Sequence, residues 1–107
     1  MPTILLVEDN EISRDILSRR LRKKGYEVML AVDGGEGIAL AASQHPDLIL
    51  MDMSLPGIDG CEATRELRNR RETMEIPVIA VTAHSLAHER DRAMKAGCDD
   101  FETKPVE

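Results

Sequence analysis

The sequence has no tryptophan, one tyrosine and one phenylalanine. So few aromatics leave no stacking platform for single-stranded nucleic acid. Positive charge is also short: 14 basic residues face 20 acidic ones, for a formal net charge of −6. That is the wrong sign for a protein that neutralises a phosphate backbone. It favours a cationic partner, a metal ion or a basic protein face. The two cysteines, Cys61 and Cys98, are too few and too isolated for a disulfide framework or a zinc site, and read as idle thiols in a reducing cytosol. No apolar run nears the length of about 20 residues that a membrane span needs. The opening Ile4-Leu5-Leu6-Val7 passes at once into acid, unlike a secretory signal. No G-x-G-x-x-G follows that run, which leaves a nucleotide-binding reading poorly supported.

What is present fits one small domain of 107 residues, enough for a single core. The organising stretch is Leu48-Ile49-Leu50-Met51-Asp52, followed by Pro56 and Gly57. Its lack of alternation predicts a strand buried on both faces, as in a parallel sheet covered by helices. Thr3 to Val7, Glu27 to Val32, Val78 to Thr82 and Asp99 to Thr103 are predicted to be the other strands. Between them, helical spacing predicts a helix after Asn10 with Ile12, Ile16, Leu17 and Leu21 on one side and Gly25 as its stop. Asp9 or Asn10 would cap it. A second helix is predicted over Glu36 to Ser43 and should be the weakest, because Gly37 costs about 1 kcal/mol against Ala. A third, capped by Asp59 with Glu62 three residues on, should run to about Arg70 with Cys61, Ala63 and Leu67 inward. A fourth should end near Ala96 before Gly97. Alternating strands and helices define an α/β class with a five-stranded, doubly wound parallel sheet.

Ligands of such sheets bind just beyond the carboxyl ends of the strands. There the sequence places Glu8 and Asp9, Asp52, Thr82 and Lys104. If the first and third strands are neighbours, three carboxylates converge, and a hard divalent cation, Mg²⁺ or Mn²⁺, relieves their repulsion. Such a cation keeps open positions for phosphate oxygens. Asp52 can then act as the nucleophile that accepts a phosphoryl group, with Lys104 supplying positive charge and Thr82 a hydroxyl donor. His84 and His88, four apart, read as one helix face rather than as ligands.

Glu8-Asp9, Asp52 with Leu55-Pro56-Gly57-Ile58-Asp59-Gly60, Thr82-Ala83, and Phe101 three before Lys104-Pro105 together resemble the receiver domain of two-component response regulators, of the chemotaxis-regulator type. The spacings of 43, 30 and 22 residues from Asp9 through Asp52 and Thr82 to Lys104 are similar to that family's. The resemblance covers residues 1–107. It implies a flavodoxin-like strand order 2-1-3-4-5 and a cytoplasmic phosphorelay module, not a metabolic enzyme. It implies that Asp52 takes phosphate from a phosphohistidine on a sensor histidine kinase or histidine phosphotransfer protein. Glu8, Asp9, Asp52 and the backbone carbonyl of Ser54 would hold the metal, Thr82 and Phe101 would form the switch pair, and Ser54 and His84 would tune hydrolysis. Lys104-Pro105 would be a cis peptide, and the basic face of the first helix the kinase-docking side. The family's fifth helix, about a dozen residues in the resemblance, is missing. That departure implies a truncated segment with apolar surface bared beside the first and fifth strands, open to self-association or a covering partner.

Two rival readings remain. An Asp-nucleophile phosphohydrolase typically shows Asp-x-Asp, whereas Ser54 stands two after Asp52. A receiver-like module that only mediates protein contacts would show loss of the acidic residues, and none is lost.

Overall fold

Short aliphatic runs bounded by acids, glycines and prolines give short strands. The structure, a computed structural model, describes residues 2–55, 57–83 and 87–103. The elements run β1 (Thr3–Val7), α1 (Glu11–Lys23), β2 (Glu27–Ala31), α2 (Gly34–Gln44), β3 (Leu48–Asp52), α3 (Gly60–Arg68), β4 (Val78–Thr82), α4 (Ala87–Ala96) and β5 (Asp100–Thr103). All strands are parallel, in the order β2-β1-β3-β4-β5. This is the flavodoxin-like α/β sheet expected, and no fifth helix occurs among the described residues. Among those residues no helix is long and apolar enough to cross a membrane.

Strand side chains alternate between faces, and two core layers follow from that alternation. Leu5, Val7, Ile49, Met51, Val78 and Ala80 pack with Ile38 and Ala41 of α2, Ala63 and Leu67 of α3, and Ala93 of α4. Ile4, Leu6, Leu50 and Val81 pack on the other face with Leu17 of α1. The central strands are therefore buried on both sides, which is why they carry no polar alternation.

The helix on the second face departs from expectation. Leu17 is buried and Leu21 partly so, but Ile12 is 72% and Ile16 48% exposed. Each residue turns an α-helix by about 100°, so positions 12 and 16 share a face rotated well away from that of 17 and 21. The expected single apolar stripe is two stripes, and only one meets the sheet. Asn10, not Asp9, caps this helix, its side chain accepting from the Ser13 amide at 2.9 Å. Gly25, at φ 98°, closes it: the Gly25 amide bonds the Arg22 carbonyl and the Tyr26 amide bonds that of Leu21, a Schellman ending.

The bared apolar flank is met only in part: Leu30 beside the first strand is exposed. Ile4, Leu6, Leu50 and Val81 are all buried, and Leu48 and Ile79 are half-buried. Phe101 packs on the face of α2, α3 and α4, so β5 turns Asp100 and Glu102 to the other side. Both are exposed. The fifth strand thus shows carboxylates there, not an apolar strip.

Gly37 has a packing reason that its propensity hides. A Cβ on it would lie 2.8 Å from Val7 Cγ2, so the missing side chain lets α2 lie against β1. β2 ends one residue early because the Val32 amide leaves the sheet for the Glu36 carboxylate, at 3.2 Å. The third helix stops at Arg68, short of Arg70, with Asp59 accepting from the Glu62 amide at 2.9 Å as expected.

Candidate functional site

Strand register builds the site. Val7 pairs with Met51 across β1 and β3, so Glu8 and Asp52, each one step further, stand side by side. Both are almost fully buried, at 2% and 4% exposure, while Asp9 is exposed. Glu8, Asp9 and Asp52 each bring a carboxylate oxygen within 4.8 Å of the others. Two unit charges about 5 Å apart repel by about 3 kcal/mol at an effective dielectric of about 20. Folding therefore works against electrostatics here, and a dication is the natural counter-charge.

Backbone contacts hold these acids in place. The Glu8 amide donates to the Ala31 carbonyl and the Met53 amide to that of Val81, each at 3.0 Å. Both anchors continue the sheet one step past the strands. The Glu8 carboxylate accepts from the Asn10 amide at 3.2 Å, and Asp52 Oδ1 accepts from the Ser54 amide at 3.0 Å. Arg14 Nη1 donates to the carbonyls of Glu8, at 3.0 Å, and Asp9, at 3.4 Å. Its guanidinium ties the first turns of α1 to the acidic pair.

On the next strand, Asp52 pairs with Val81, so Thr82 follows one step on, adjacent to Asp52. Thr82 is fully buried, and its Oγ1 donates to Glu89 Oε2 of α4 at 3.2 Å. Phe101 pairs with Ala80 and is half-buried against the core. Ser54 is exposed, two residues from Asp52. Lys104 and His84, with the Lys104-Pro105 bond, lie outside the described residues.

The structure thus brings Glu8, Asp9 and Asp52 together and puts Thr82 beside them. Arg14 and Glu89 were not foreseen. Neither has a sequence signal: the first reads as one more arginine of a basic helix, and the second reaches Thr82 only because α4 folds back over β4. Cys61 and Cys98 are buried, and burial pushes both thiols above their ordinary value. Neither has the character of a reactive nucleophile.

The acceptor oxygens are all hard, with no imidazole or thiolate among the three. That donor set fits Mg²⁺ or Mn²⁺ rather than a softer metal.

Comparison with known proteins agrees. Residues 4–107 match the family described as "Response regulator receiver domain". Protein PilH of Pseudomonas aeruginosa is 40% identical over 107 residues, covering 100% of this chain and 88% of that protein. The polar-differentiation response regulator DivK of Brucella ovis is 38% identical over 104 residues, covering 97% of this chain and 85% of DivK. The receiver domain of sensor histidine kinase PA1611 from Pseudomonas aeruginosa, solved with a magnesium ion coordinated in its active-site cleft, superposes with a TM-score of 0.92. It is 40% identical and covers 99% of this chain, which spans 87% of it.

Proposed function

Since the chain belongs to the response regulator receiver domain family of two-component signalling, we propose that it accepts a phosphoryl group on Asp52 from a phosphohistidine of a sensor histidine kinase or histidine phosphotransfer protein. The observation that carries this reading is the convergence of Glu8, Asp9 and Asp52 within 4.8 Å at the ends of β1 and β3. It is reinforced by Thr82 one step along the neighbouring strand.

In the reaction, a carboxylate oxygen of Asp52 attacks phosphorus in line. The new P–O bond forms as the P–N bond breaks, and the electron pair leaves on the imidazole nitrogen. The product is a mixed anhydride, reactive enough to be transient. The Ser54 amide, 3.0 Å from Oδ1, orients the carboxylate. Glu8, Asp9, Asp52 and the Ser54 carbonyl would hold a divalent cation, which neutralises charge on the phosphoryl oxygens when bound. Lys104 supplies a second positive charge, Thr82 a hydroxyl to the phosphoryl oxygens, and Phe101 follows Thr82 as the switch aromatic. Ser54 and His84 set how readily water reaches the anhydride.

The domain catalyses its own modification and turns over no metabolite. It acts in the cytoplasm, where the kinase's phosphohistidine resides. The exposed Ile12 and Ile16 on α1, flanked by exposed Arg19 and Arg20, give a kinase or phosphotransfer helix an apolar ridge with a basic border.

The test is incubation with Mg²⁺ and acetyl phosphate, read by intact mass. One phosphoryl adduct, absent without metal and absent in Asp52→Asn, is expected. Steady hydrolysis of phosphate esters with no trapped adduct would point to a phosphohydrolase. No adduct and no turnover would leave a module that only makes protein contacts.

A further inference from the structure

Thr82 is the last residue of β4 and has no exposed surface. Its hydroxyl donates to Glu89 Oε2 at 3.2 Å. Glu89 lies in the first turn of α4 and is half-buried. One turn later, Arg92 Nη2 sits 3.5 Å from Asp59 Oδ2, the residue that caps α3. The start of α4 is thus fastened twice: to β4 through Glu89 and to α3 through Arg92.

A hydroxyl carries one proton to donate. Under the phosphoacceptor reading, on which this inference rests, a phosphoryl group on Asp52 adds oxygens that seek the same proton. The geometry points to Glu89 as a positioning residue that competes with the phosphoryl group for the Thr82 hydroxyl. Without phosphate, Glu89 holds the hydroxyl toward α4. With phosphate, the hydroxyl turns to Asp52, Glu89 loses its donor, and the first turn of α4 loosens from β4. Arg92 keeps the second turn on α3, so the change is confined to the helix start. Two mutually exclusive acceptors for one buried donor make a two-state element, and both the site and α4 bias it.

The experiment is a double-mutant cycle. Wild type, Glu89→Ala, Thr82→Val and the double variant are compared for amide exchange at residues 87–90, with and without acetyl phosphate and Mg²⁺. The initial rate of adduct formation is followed by mass. In wild type, phosphorylation should raise exchange at residues 87–90. In Glu89→Ala, exchange should already be raised without phosphate and change little on phosphorylation, and the adduct should form about fivefold faster, the low end of ordinary allosteric coupling. Glu89→Gln, which keeps an uncharged acceptor, should fall between and stands in if the alanine variant folds poorly. In the Thr82→Val background, which has no proton to hold, removing Glu89 should add nothing.

Equal effects of Glu89→Ala in both backgrounds would mean that Glu89 matters only to the helix end, and would overturn the inference. So would a Glu89→Ala protein that phosphorylates and exchanges as wild type does. A wild type that takes no adduct sinks the phosphoacceptor reading and the competition with it. A wild-type adduct without coupling sinks the role of Glu89 alone.

Discussion

The two ends of the sheet solve opposite problems. Where the strands begin, opposite charges and dipoles are matched. Arg68 donates through Nε to the Gly97 carbonyl at 2.9 Å, through Nη1 to those of Ile76 at 2.7 Å and Met74 at 3.2 Å, and through Nη2 to Asp99 at 2.8 Å. The same Asp99 oxygen accepts from the Val78 amide at 2.9 Å. Nearby, the fully buried Thr73 donates to the Leu67 carbonyl at 2.6 Å. One guanidinium thereby joins the end of α3, the entry to β4 and the entry to β5. Where the strands finish, three carboxylates of one sign are held within 4.8 Å. The first arrangement stabilises the fold. The second works against it, because like charges held close repel. Separating the two by the length of the strands lets the binding end carry like charge without loosening the sheet.

This contrast can be broken experimentally. Arg68→Ala should cost about 3 kcal/mol, since it strips a charged donor from several carbonyls at once; urea denaturation would show the drop. Adduct formation on the folded fraction should survive, and a variant as stable as wild type would mean that the clasp is decorative. Asp52→Asn should move the other way in metal-free buffer. Removing one of three like charges should raise stability by about 2 kcal/mol, below the full repulsion of one such pair because solvent screens the exposed Asp9, and adding millimolar Mg²⁺ should narrow the gap because wild type gains more from the ion. A destabilised Asp52→Asn would show that the acids do not strain one another.

The smallest effect is alkaline. Cys61 lies toward the acidic end and Cys98 toward the Arg68 clasp, and burial is the main cause that raises each thiol above 9.0. A thiol kept neutral by folding contributes stability that is fully present below the unfolded value and is lost as pH rises through the higher folded value. Thermal melts should therefore fall gently above about pH 9. Cys98→Ala should flatten part of that fall, and an unchanged slope would count against burial as its source.

Much of this was legible in residue order. The unbroken apolar character of Leu48 to Met51 announced a strand covered on both faces, and the acids and Thr82 at strand ends announced the rim. The capping residue Asp59 and the stop at Gly25 were equally plain, because such signals are local. Three features were not. Ile12 and Ile16 looked like core because apolar residues near helical spacing give no sign of which of two faces meets a sheet. Gly37 looked like a flaw in a helix because its neighbour, Val7, is remote in sequence. Arg68 passed as one more residue of the third helix because three of its four acceptors are backbone carbonyls, which every residue has.

The order of residues by itself determined the alternation of strand and helix, the ends of most elements and the placing of reactive groups just after strands. These depend on the nearest few residues and on which side chains avoid water. Only the tertiary structure decided that β1 and β3 are neighbours, that Glu8 and Asp52 therefore stand side by side, and that the Thr82 hydroxyl meets Glu89. Those facts depend on register and helix docking, where small packing differences between distant segments select one arrangement among several that local preference allows equally.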